Sequence, residues 1–246
     1  MYIKDINVPY VKIDTPQMIE VDRLMIDDYG IELIQMMENA GRCLAIVARE
    51  DFLDSDPQGK RVCILAGTGG NGGGAMVCAR RLSAWGAKVT IFVTASEEKM
   101  TPVALHQYKI LKRMGVELGK VDELDKEQSY DLIIDGVIGY SVKGDPYGTA
   151  RDMIDWANAQ STKVLSLDTP SGLDLTTGHL HYPTVRANGT LVLAMPKHGL
   201  FSKESKLNVG QMFIGDISVP AQLYNEPSLG LQVANIFRFS DIVKII

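Results

Sequence analysis

Short apolar runs alternate with amphipathic segments along most of the chain, and this alternation predicts the secondary structure. Such runs are typical of strands buried on both faces, whereas apolar residues at helical spacing indicate helices that cover a core. Strands are expected over residues 62–66, 88–93, 131–135, 163–168, 189–195 and 211–217. Helices are expected over residues 31–52, 76–85, 102–114 and 149–159, and an earlier helix begins with Thr15 as its cap and Pro16 in its first turn. Residues 1 to about 14 show neither pattern and are expected to be irregular.

The order of these elements predicts the fold class. Strands that alternate with helices indicate a parallel sheet covered by helices on both faces. The expected class is therefore α/β, a Rossmann-like three-layer αβα sandwich with a mostly parallel sheet. The chain has 246 residues, enough for a sizeable core, and it shows no linker, low-complexity segment or short-period repeat. A single domain over residues 1–246 is the simplest interpretation.

Charge and cysteine content narrow the partners and the compartment. The net charge of −5 predicts no general attraction to nucleic acid or to an anionic membrane. No apolar run approaches the roughly 20 residues of a membrane span, and the N-terminal segment lacks the apolar stretch of a secretory signal. Cys43, Cys63 and Cys78 are odd in number and lack metal-ligand spacing, so they are expected to be small buried residues in a reducing compartment. We therefore expect a cytoplasmic location.

A glycine-rich segment, Gly67 to Gly74, joins the first predicted buried strand to the next helix, and six of its eight residues are glycine. A strand, a glycine segment and a helix in that order direct backbone N–H groups and a helix N-terminus at an anion. A Walker-type phosphate loop is not expected, because no Gly-Lys-Ser/Thr follows. A flexible loop without a ligand is the alternative, but the entropic cost of ordering so many glycines favours a backbone pressed close to a ligand.

Two aspartates end later buried strands at the same predicted edge of the sheet. Asp135 ends the third strand and Asp168 ends the fourth, and ligands of such sheets bind outside the carboxyl ends of the strands. A carboxylate there is costly unless it is paired, hydrogen-bonded or metal-bound. The alternative is that each aspartate only caps the following turn.

The remaining polar groups near this edge offer oxygen atoms rather than nitrogen or sulfur. Asn71, Asp135 and Ser171 are oxygen donors that suit a hard cation. The four histidines are scattered and form no zinc-like cluster, and those at positions 179 and 181 are expected to be exposed in a loop. Lys143 lies in a glycine-bounded loop, where it either meets a phosphate or remains solvated.

The predicted N-terminal helices hold two further polar residues and several methionines. Glu38 and Asn39 lie among apolar positions, and they either face solvent and cap a turn or lie beside the site. The methionines fill the core or form an apolar surface at which two copies meet; they are Met18, Met25, Met36 and Met37.

Four segments carry a family resemblance. They are Met-Glu-Asn-Ala-Gly at 37–41, Gly-Thr-Gly-Gly-Asn-Gly-Gly-Gly at 67–74, Ile-Asp-Gly-Val-Ile-Gly-Tyr-Ser-Val-Lys-Gly-Asp at 134–145, and Leu-Asp-Thr-Pro-Ser-Gly-Leu-Asp at 167–174. Together, and in this order, they resemble the YjeF N-terminal domain family, whose characterised members are NAD(P)H-hydrate epimerases. The resemblance covers the chain from about Thr15 to about Lys197.

The resemblance implies that the chain interconverts the R and S forms of hydrated NADH or NADPH. This damage product carries a hydroxyl on ring carbon 6, beside the ring nitrogen. The hydroxyl leaves as water when an acid protonates it, and the nitrogen lone pair stabilises the iminium ion until water returns to either face. Ring opening at the same carbon is the alternative route. Both need a group that gives and retrieves a proton, and a carboxylate suits that role.

The resemblance also implies roles for particular residues. Asp168 would be the acid/base at the hydrated nicotinamide, and a potassium ion would be held by Asn71, Asp135 and Ser171. The substrate would be bound by Gly70, Asn71, Gly72, Gly73 and Gly74 of the glycine-rich segment and by the loop Gly139, Tyr140, Ser141, Val142, Lys143, Gly144 and Asp145, with Lys143 near its phosphates. A homodimer is implied, and the dehydratase that repairs the S form is expected to be a separate protein.

The glycine-rich segment departs from the family pattern Gly-Pro-Gly-Asn-Asn-Gly-Gly-Asp-Gly. The substituted positions are Thr68, Gly70, Gly74 and Ala75. The acid absent at Gly74 would accept a hydrogen bond from a ribose hydroxyl, and losing such a bond weakens binding by roughly 1.5–3 kcal/mol. A catalytically impaired module for nucleotide binding or dimerisation is therefore one alternative. An ordinary Rossmann oxidoreductase is another, although its ribose-binding acid should lie about 20 residues after the glycines, and Glu97 and Glu98 fall slightly late.

Overall fold

A single twisted sheet organises the chain. The computed structural model describes residues 3–6, 10–124 and 129–245. Within these residues nine strands form one sheet in the order β1-β9-β8-β7-β6-β5-β2-β3-β4. All neighbours are parallel except β8 and β9. The strands are β1 (Ile3–Ile6), β2 (Arg61–Ala66), β3 (Lys88–Val93), β4 (Glu117–Gly119), β5 (Leu132–Gly136), β6 (Val164–Leu167), β7 (Gly189–Leu193), β8 (Gln211–Gly215) and β9 (Ile242–Ile245).

Helices cover both faces of this sheet. They are α1 (Thr15–Arg23), α2 (Leu33–Val47), α3 (Gly70–Ala84), α4 (Pro102–Met114), α5 (Gly148–Ala159) and the short α6 (Lys206–Val209). Wider helical turns extend α1 over Leu24–Asp28 and α2 over Ala48–Phe52. None of the helices in the described part of the chain is long and apolar enough to cross a membrane.

Strand β2 shows why the central strands read as continuous apolar runs. Ile64 packs into the core formed with α2, α3 and α4. Its neighbours Cys63 and Leu65 pack into the core on the opposite face, which includes Met153 and Trp156 of α5. Successive side chains of a strand point to opposite faces, so a strand covered on both sides needs apolar residues at every position. The predicted three-layer α/β architecture is confirmed.

The two strands at one edge of the sheet were not predicted. Residues 1 to about 14 were expected to be irregular, but Ile3–Ile6 forms β1 and pairs with β9 close to the other end of the chain. Each of these strands has only four residues. Their pairing is set by contacts between the two ends of the chain, which a local hydrophobic pattern does not encode.

Two helix boundaries also differ from expectation. The cap of α1 is Asp14 rather than Thr15, because the Asp14 carboxylate accepts a hydrogen bond from Gln17 N at 2.7 Å and the Gln17 side chain bonds back to Asp14 N. Helix α3 begins at Gly70 rather than near residue 76. Glycine is a poor helix former, so packing rather than intrinsic propensity holds this first turn.

The methionines of the N-terminal helices are core residues. Met18, Met25 and Met36 belong to one buried apolar cluster, and Met37 is also buried. The exposed large apolar side chains of this region are instead Ile19, Ile26 and Leu33. The homodimer stays a prediction, and these methionines do not supply its surface.

Glu38 joins three helices. Its carboxylate accepts hydrogen bonds from Arg80 of α3 and from Gln107 Nε2 of α4, the latter at 3.0 Å. Glu38 therefore neither faces solvent freely nor lines a cavity, and its role is to tie α2 to its neighbours.

The three cysteines are buried, free thiols, as expected. Burial raises the pKa of Cys43 to about 12 and raises that of Cys63 well above its usual value. Thiolates are the reactive form of cysteine, so these side chains serve as small apolar fillers.

Helices α2 and α3 approach each other through glycine. A Cβ atom added at Gly41 would lie 2.4 Å from Val77 Cβ and 2.5 Å from the carbonyl oxygen of Gly74. The second of these neighbours is backbone, which cannot move aside alone. The glycine of the Met-Glu-Asn-Ala-Gly segment therefore fixes how closely α3 packs on α2.

We expect Gly41→Ala to lower the free energy of unfolding by about 1–3 kcal/mol, because the added methyl group overpacks this contact. Urea unfolding followed by circular dichroism measures the change. Gly70→Ala is the matched control, because a Cβ there meets nothing within 4 Å. Equal stability of the two variants would contradict the proposed close packing.

Candidate active site

A cavity of about 770 Å³ lies at the carboxyl ends of β2, β3, β5, β6 and β7. Its walls come from the segments that follow these strands and from α1 and α2. The volume is in the range of roughly 300–1,000 Å³ that is typical of small-molecule sites. The cavity therefore lies at the carboxyl ends of the strands, where the sequence predicted the polar residues to lie.

The predicted substrate-binding residues divide into those that line the cavity and those that lie behind it. Gly70, Asn71, Gly72, Asp168 and the whole segment 139–145 line it. The two later glycines are buried in the wall: a Cβ at Gly73 would meet the Met37 side chain at 2.5 Å, and a Cβ at Gly74 would meet Leu167 Cδ2 at 2.7 Å.

Two positions at the start of α3 and just before it, Gly72 and Gly67, are packed so tightly that only glycine fits. A Cβ at Gly72 would lie 1.9 Å from Gly67 O, and a Cβ at Gly67 would lie 2.1 Å from Val137 O. These approaches press the segment after β2 against the segment after β5. The first backbone N–H groups of a helix have no partner within the helix, and here they border the cavity. Together with the helix dipole they make this end of α3 suitable for an anion.

Asp168 forms a buried ion pair that the sequence did not reveal. Lys197 Nζ lies 2.6 Å from Asp168 Oδ1 and also donates to Leu193 O at 3.0 Å. The Lys197 side chain is fully buried, that of Asp168 is 5 % exposed, and both residues line the cavity. Asp168 has a φ of +63°, a strained left-handed backbone for a residue with a side chain. The lysine therefore compensates a carboxylate that the backbone holds in an unusual position.

A second carboxyl group, Asp22 of α1, also reaches the cavity. The hydroxyl of Tyr140 donates to Asp22 Oδ2 at 2.9 Å, and both side chains line the cavity. Burial raises the pKa of Asp22, whereas the hydrogen bond from Tyr140 and the charge of Lys197 lower it, and the nearby Asp168 carboxylate raises it further. Sequence reasoning missed Asp22, because one acid on an amphipathic helix resembles an ordinary solvated residue.

Asp135 lies beneath the cavity rather than in its lining. Its Oδ1 accepts from Ser171 Oγ at 2.6 Å, and its Oδ2 accepts from Ser166 Oγ at 2.7 Å and from Ser171 N at 2.9 Å. Burial raises the pKa of Asp135, and these hydrogen bonds oppose the shift. The network joins the ends of β5 and β6.

Asn71 lies against the segment that follows β5. A Cβ at Gly139 would be 3.3 Å from Asn71 Cγ, so the amide is pressed against the start of the 139–145 segment. Asn71 Nδ2 is buried and has no hydrogen-bond partner in the part of the chain that the structure describes. A buried N–H donor without a partner indicates a place for a hydrogen-bond acceptor.

The segment 139–145 is anchored at both ends. Tyr140 is bonded to Asp22 at one end, and at the other end Asp145 Oδ1 accepts from Tyr182 N at 2.9 Å. His181 Nδ1 lies 3.5 Å from the same carboxylate oxygen. His179 is exposed as expected, but His181 is half-buried because it packs beside this contact.

The far end of the cavity carries positive charge. Lys99, in the segment after β3, lies at this end, and Lys143, in the segment after β5, also lines the cavity. Strands β3 and β6 are separated by β2 and β5, so at ~4.8 Å per strand this end lies about 14 Å from the Asp168 end. Glu97 forms an ion pair with Lys112 at 3.0 Å and, like Glu98, does not line the cavity. The ribose-binding acid of an ordinary Rossmann oxidoreductase is thus not provided by these two residues.

Comparison with known proteins identifies the family. The model described as "YjeF-related protein N-terminus" matches residues 33–199. The chain belongs to this family. The resemblance seen in the four sequence segments is confirmed.

Several relatives of this YjeF-related chain have functional names. It is 37 % identical over 218 residues to the NAD(P)H-hydrate epimerase of Dehalogenimonas lykanthroporepellens, covering 88 % of this chain and 86 % of the relative. It is 32 % identical to the NAD(P)H-hydrate epimerase of Entamoeba histolytica, covering 80 % and 86 %. It is 31 % identical to the bifunctional NAD(P)H-hydrate repair enzyme Nnr of Moorella thermoacetica, covering 84 % of this chain but only 40 % of that larger protein.

A solved structure supports the fold. The crystal structure of yeast ynu0 superposes with a TM-score of 0.78 and covers 95 % of this chain and 99 % of the yeast chain. At 23 % sequence identity this similarity shows a shared fold.

We expect Lys197→Met to lower the free energy of unfolding by about 3–5 kcal/mol, because it leaves the Asp168 carboxylate buried without its partner. Urea unfolding measures the change. The double variant Lys197→Met, Asp168→Asn should recover most of the loss, because it removes both buried charges, while asparagine tolerates the left-handed backbone and can still accept from Leu193 N. Lys112→Met is the control for an exposed ion pair and should have a much smaller effect. A Lys197→Met variant as stable as this control would contradict the inferred burial of the pair.

Proposed function

We propose that this YjeF-related chain is an NAD(P)H-hydrate epimerase, an isomerase that interconverts the R and S forms of hydrated NADH and NADPH. The observation that carries the proposal is the Asp168–Lys197 pair, with N–O separation 2.6 Å, in the wall of a cavity large enough for a dinucleotide. The 37 % identical relative named NAD(P)H-hydrate epimerase supports it.

The charge distribution suggests how the substrate lies. The diphosphate would lie against the N-terminus of α3 and near Lys143, with Lys99 beyond it, where backbone N–H groups and cations favour an anion. The hydrated nicotinamide would then lie at the other end, beside Asp168. Leu193 and Ile217 line the cavity together with Lys197 and would limit the access of bulk water to the ring.

In this arrangement Asp168 exchanges a proton with the hydroxyl on ring carbon 6. Breaking the bond between carbon 6 and the hydroxyl oxygen releases water and leaves positive charge shared between the carbon and the ring nitrogen. A carboxylate beside that positive charge stabilises the transition state. The stabilisation is greatest when the carboxylate is already held in place, because no free energy is then spent on reorienting it. Lys197 and the backbone N–H of Leu193 hold Asp168 Oδ1 and leave Oδ2 to face the substrate. The same proton exchange serves the route through ring opening.

The absence of an acidic side chain at Gly74 is weaker evidence for a loss of activity than the sequence alone indicated. A side chain at position 74 would project at Leu167, whose methyl group lies 2.7 Å from the added Cβ, and Leu167 itself lines the cavity. The chain therefore has an apolar wall where the family pattern has a carboxylate. The backbone N–H groups, Lys143 and Asp168 are retained, so the alternative of an impaired binding module is not favoured.

We expect purified protein to consume R-form NADPH hydrate in the presence of an S-specific dehydratase, carried by a separate protein, that removes the product. Asp168→Asn should lower the rate by about 10²–10⁴-fold, because it removes the group that exchanges the proton. Asp131→Asn is the matched control. Asp131 lies at the amino end of β5, away from the cavity, where it accepts a hydrogen bond from Arg61 N. An inactive wild type, or an Asp168→Asn variant with the wild-type rate, would refute the proposal.

We further propose that a monovalent cation, potassium, is held by Asn71, Asp135 and Ser171. Their oxygen atoms suit a hard cation, and the fully buried Asp135 carboxylate supplies the negative charge that attracts one. When bound, the ion would supply a positive charge that compensates the buried Asp135 carboxylate.

We expect the melting temperature to be higher in potassium chloride than in choline chloride at equal ionic strength, because potassium binds the folded chain and not the unfolded chain. Asn71→Ala should abolish the difference. Asn158→Ala removes an amide bonded to Thr184 O, outside the cavity lining, and should keep the difference. The same response to potassium in Asn71→Ala and wild type would contradict this assignment.

A further inference from the structure

We infer that Asp22 is a second proton-carrying residue of this site, which acts on the hydroxyl of the hydrated ring together with Asp168. The inference rests on the proposed epimerase function and deepens it. It assigns one carboxyl group to the departure of the hydroxyl and the other to its return. Asp22 reaches the cavity from α1, whereas Asp168 reaches it from the end of β6, so the two approach a bound ring from different elements.

The contacts of Asp22 differ from those of an ordinary surface acid. Among the residues that the structure describes, Asp22 makes no ion pair. The adjacent Arg23 turns away and pairs with Glu20 at 2.9 Å and with Asp28 at 3.3 Å. The hydrogen-bond donor to Asp22 is instead the neutral hydroxyl of Tyr140. This carboxyl group is therefore partly buried, free of a counter-ion and open to the cavity.

The charged and titratable groups around Asp22 give it surroundings that differ from those of Asp168. Asp168 and Lys197 act on it from the segments after β6 and β7, and Tyr140 acts from the segment after β5. Tyr224 is buried nearby, and burial raises its pKa, with the charge of Asp22 contributing. Asp168 is paired with a lysine, whereas burial raises the pKa of Asp22 and so favours its protonated form. Two carboxyl groups in such contrasting environments suit an acid and a base.

The proposed sequence of steps balances. The Asp22 carboxyl gives its proton to the hydroxyl oxygen on ring carbon 6, the carbon–oxygen bond breaks, and water leaves. The lone pair of the ring nitrogen forms the iminium bond. A water molecule then adds to the other face of carbon 6, its oxygen supplies the new bond, and its proton passes to the Asp168 carboxylate.

One turnover therefore leaves Asp22 ionised and Asp168 protonated. That protonation state is the one needed to convert the product back, with the roles of the two groups exchanged. Proton exchange with water restores the first state. An epimerase must run in both directions through the same steps, and a pair of groups that exchange roles meets this requirement.

The test compares Asp22→Asn with the matched control Asp28→Asn, an exposed acid near the end of the same helical segment. We expect Asp22→Asn to lower kcat by about 10²-fold in both directions, while the affinity for NADPH hydrate, measured by calorimetry, stays within a few-fold. The pH profile of R-form conversion should also change. In the wild type the rate falls as pH rises through the pKa of Asp22, because the acid is lost, and this fall should be absent from Asp22→Asn.

Tyr140→Phe separates a proton-carrying role from a structural one. The Tyr140 hydroxyl stabilises the ionised form of Asp22, so its removal should raise the pKa of Asp22 and move the fall in rate to higher pH. A wild-type rate in Asp22→Asn, or an unchanged pH profile in both variants, would overturn the inference while leaving the epimerase function standing. An inactive wild type would overturn both.

Discussion

Three positions in and around the start of α3 are packed at distances that only glycine permits, and the site depends on these contacts. Gly67 touches the backbone after β5, Gly72 folds back onto Gly67, and Gly41 lets α2 settle against the backbone of Gly74. Ordering so many glycines costs conformational entropy. The dense packing of two helices and two strand ends offsets this cost, and it places a helix N-terminus at the wall of the cavity.

Buried charge is the second constraint, and the fold meets it with partners of two kinds. Asp135 receives hydrogen bonds from two serines and from backbone, and it ties β5 to β6 below the cavity. Asp168 receives an ammonium group and a backbone N–H instead, both on its Oδ1. The same residue type at the ends of neighbouring strands is thus held by neutral hydrogen-bond donors in one case and by an ion pair in the other. The two aspartates differ because serines lie beside Asp135, whereas the segment after β7 places Lys197 beside Asp168.

The wall of the cavity also explains how a departure from the family pattern can be tolerated. Leu167 occupies the direction in which a side chain at position 74 would extend. Loss of the acid is therefore matched by an apolar residue rather than by an empty space. The proposed recognition of the substrate then rests on backbone N–H groups, on Lys143 and on the segment 139–145. Tyr140 and Asp145 anchor this segment to α1 and to Tyr182.

The sequence alone determined the periodicity of each element, and from it the parallel sheet, the two helical layers and the edge at which Asp168 and the glycine-rich segment would meet. These features follow from local patterns of apolar residues, because strand and helix periods are local properties. The tertiary structure decided the pairing of β1 with β9, the ion pair of Asp168 with Lys197, and the bond between Tyr140 and Asp22. Lys197 lies 29 residues after Asp168 in the sequence, and Tyr140 lies 118 residues after Asp22. Their meeting depends on the order of the strands, which local periodicity does not specify.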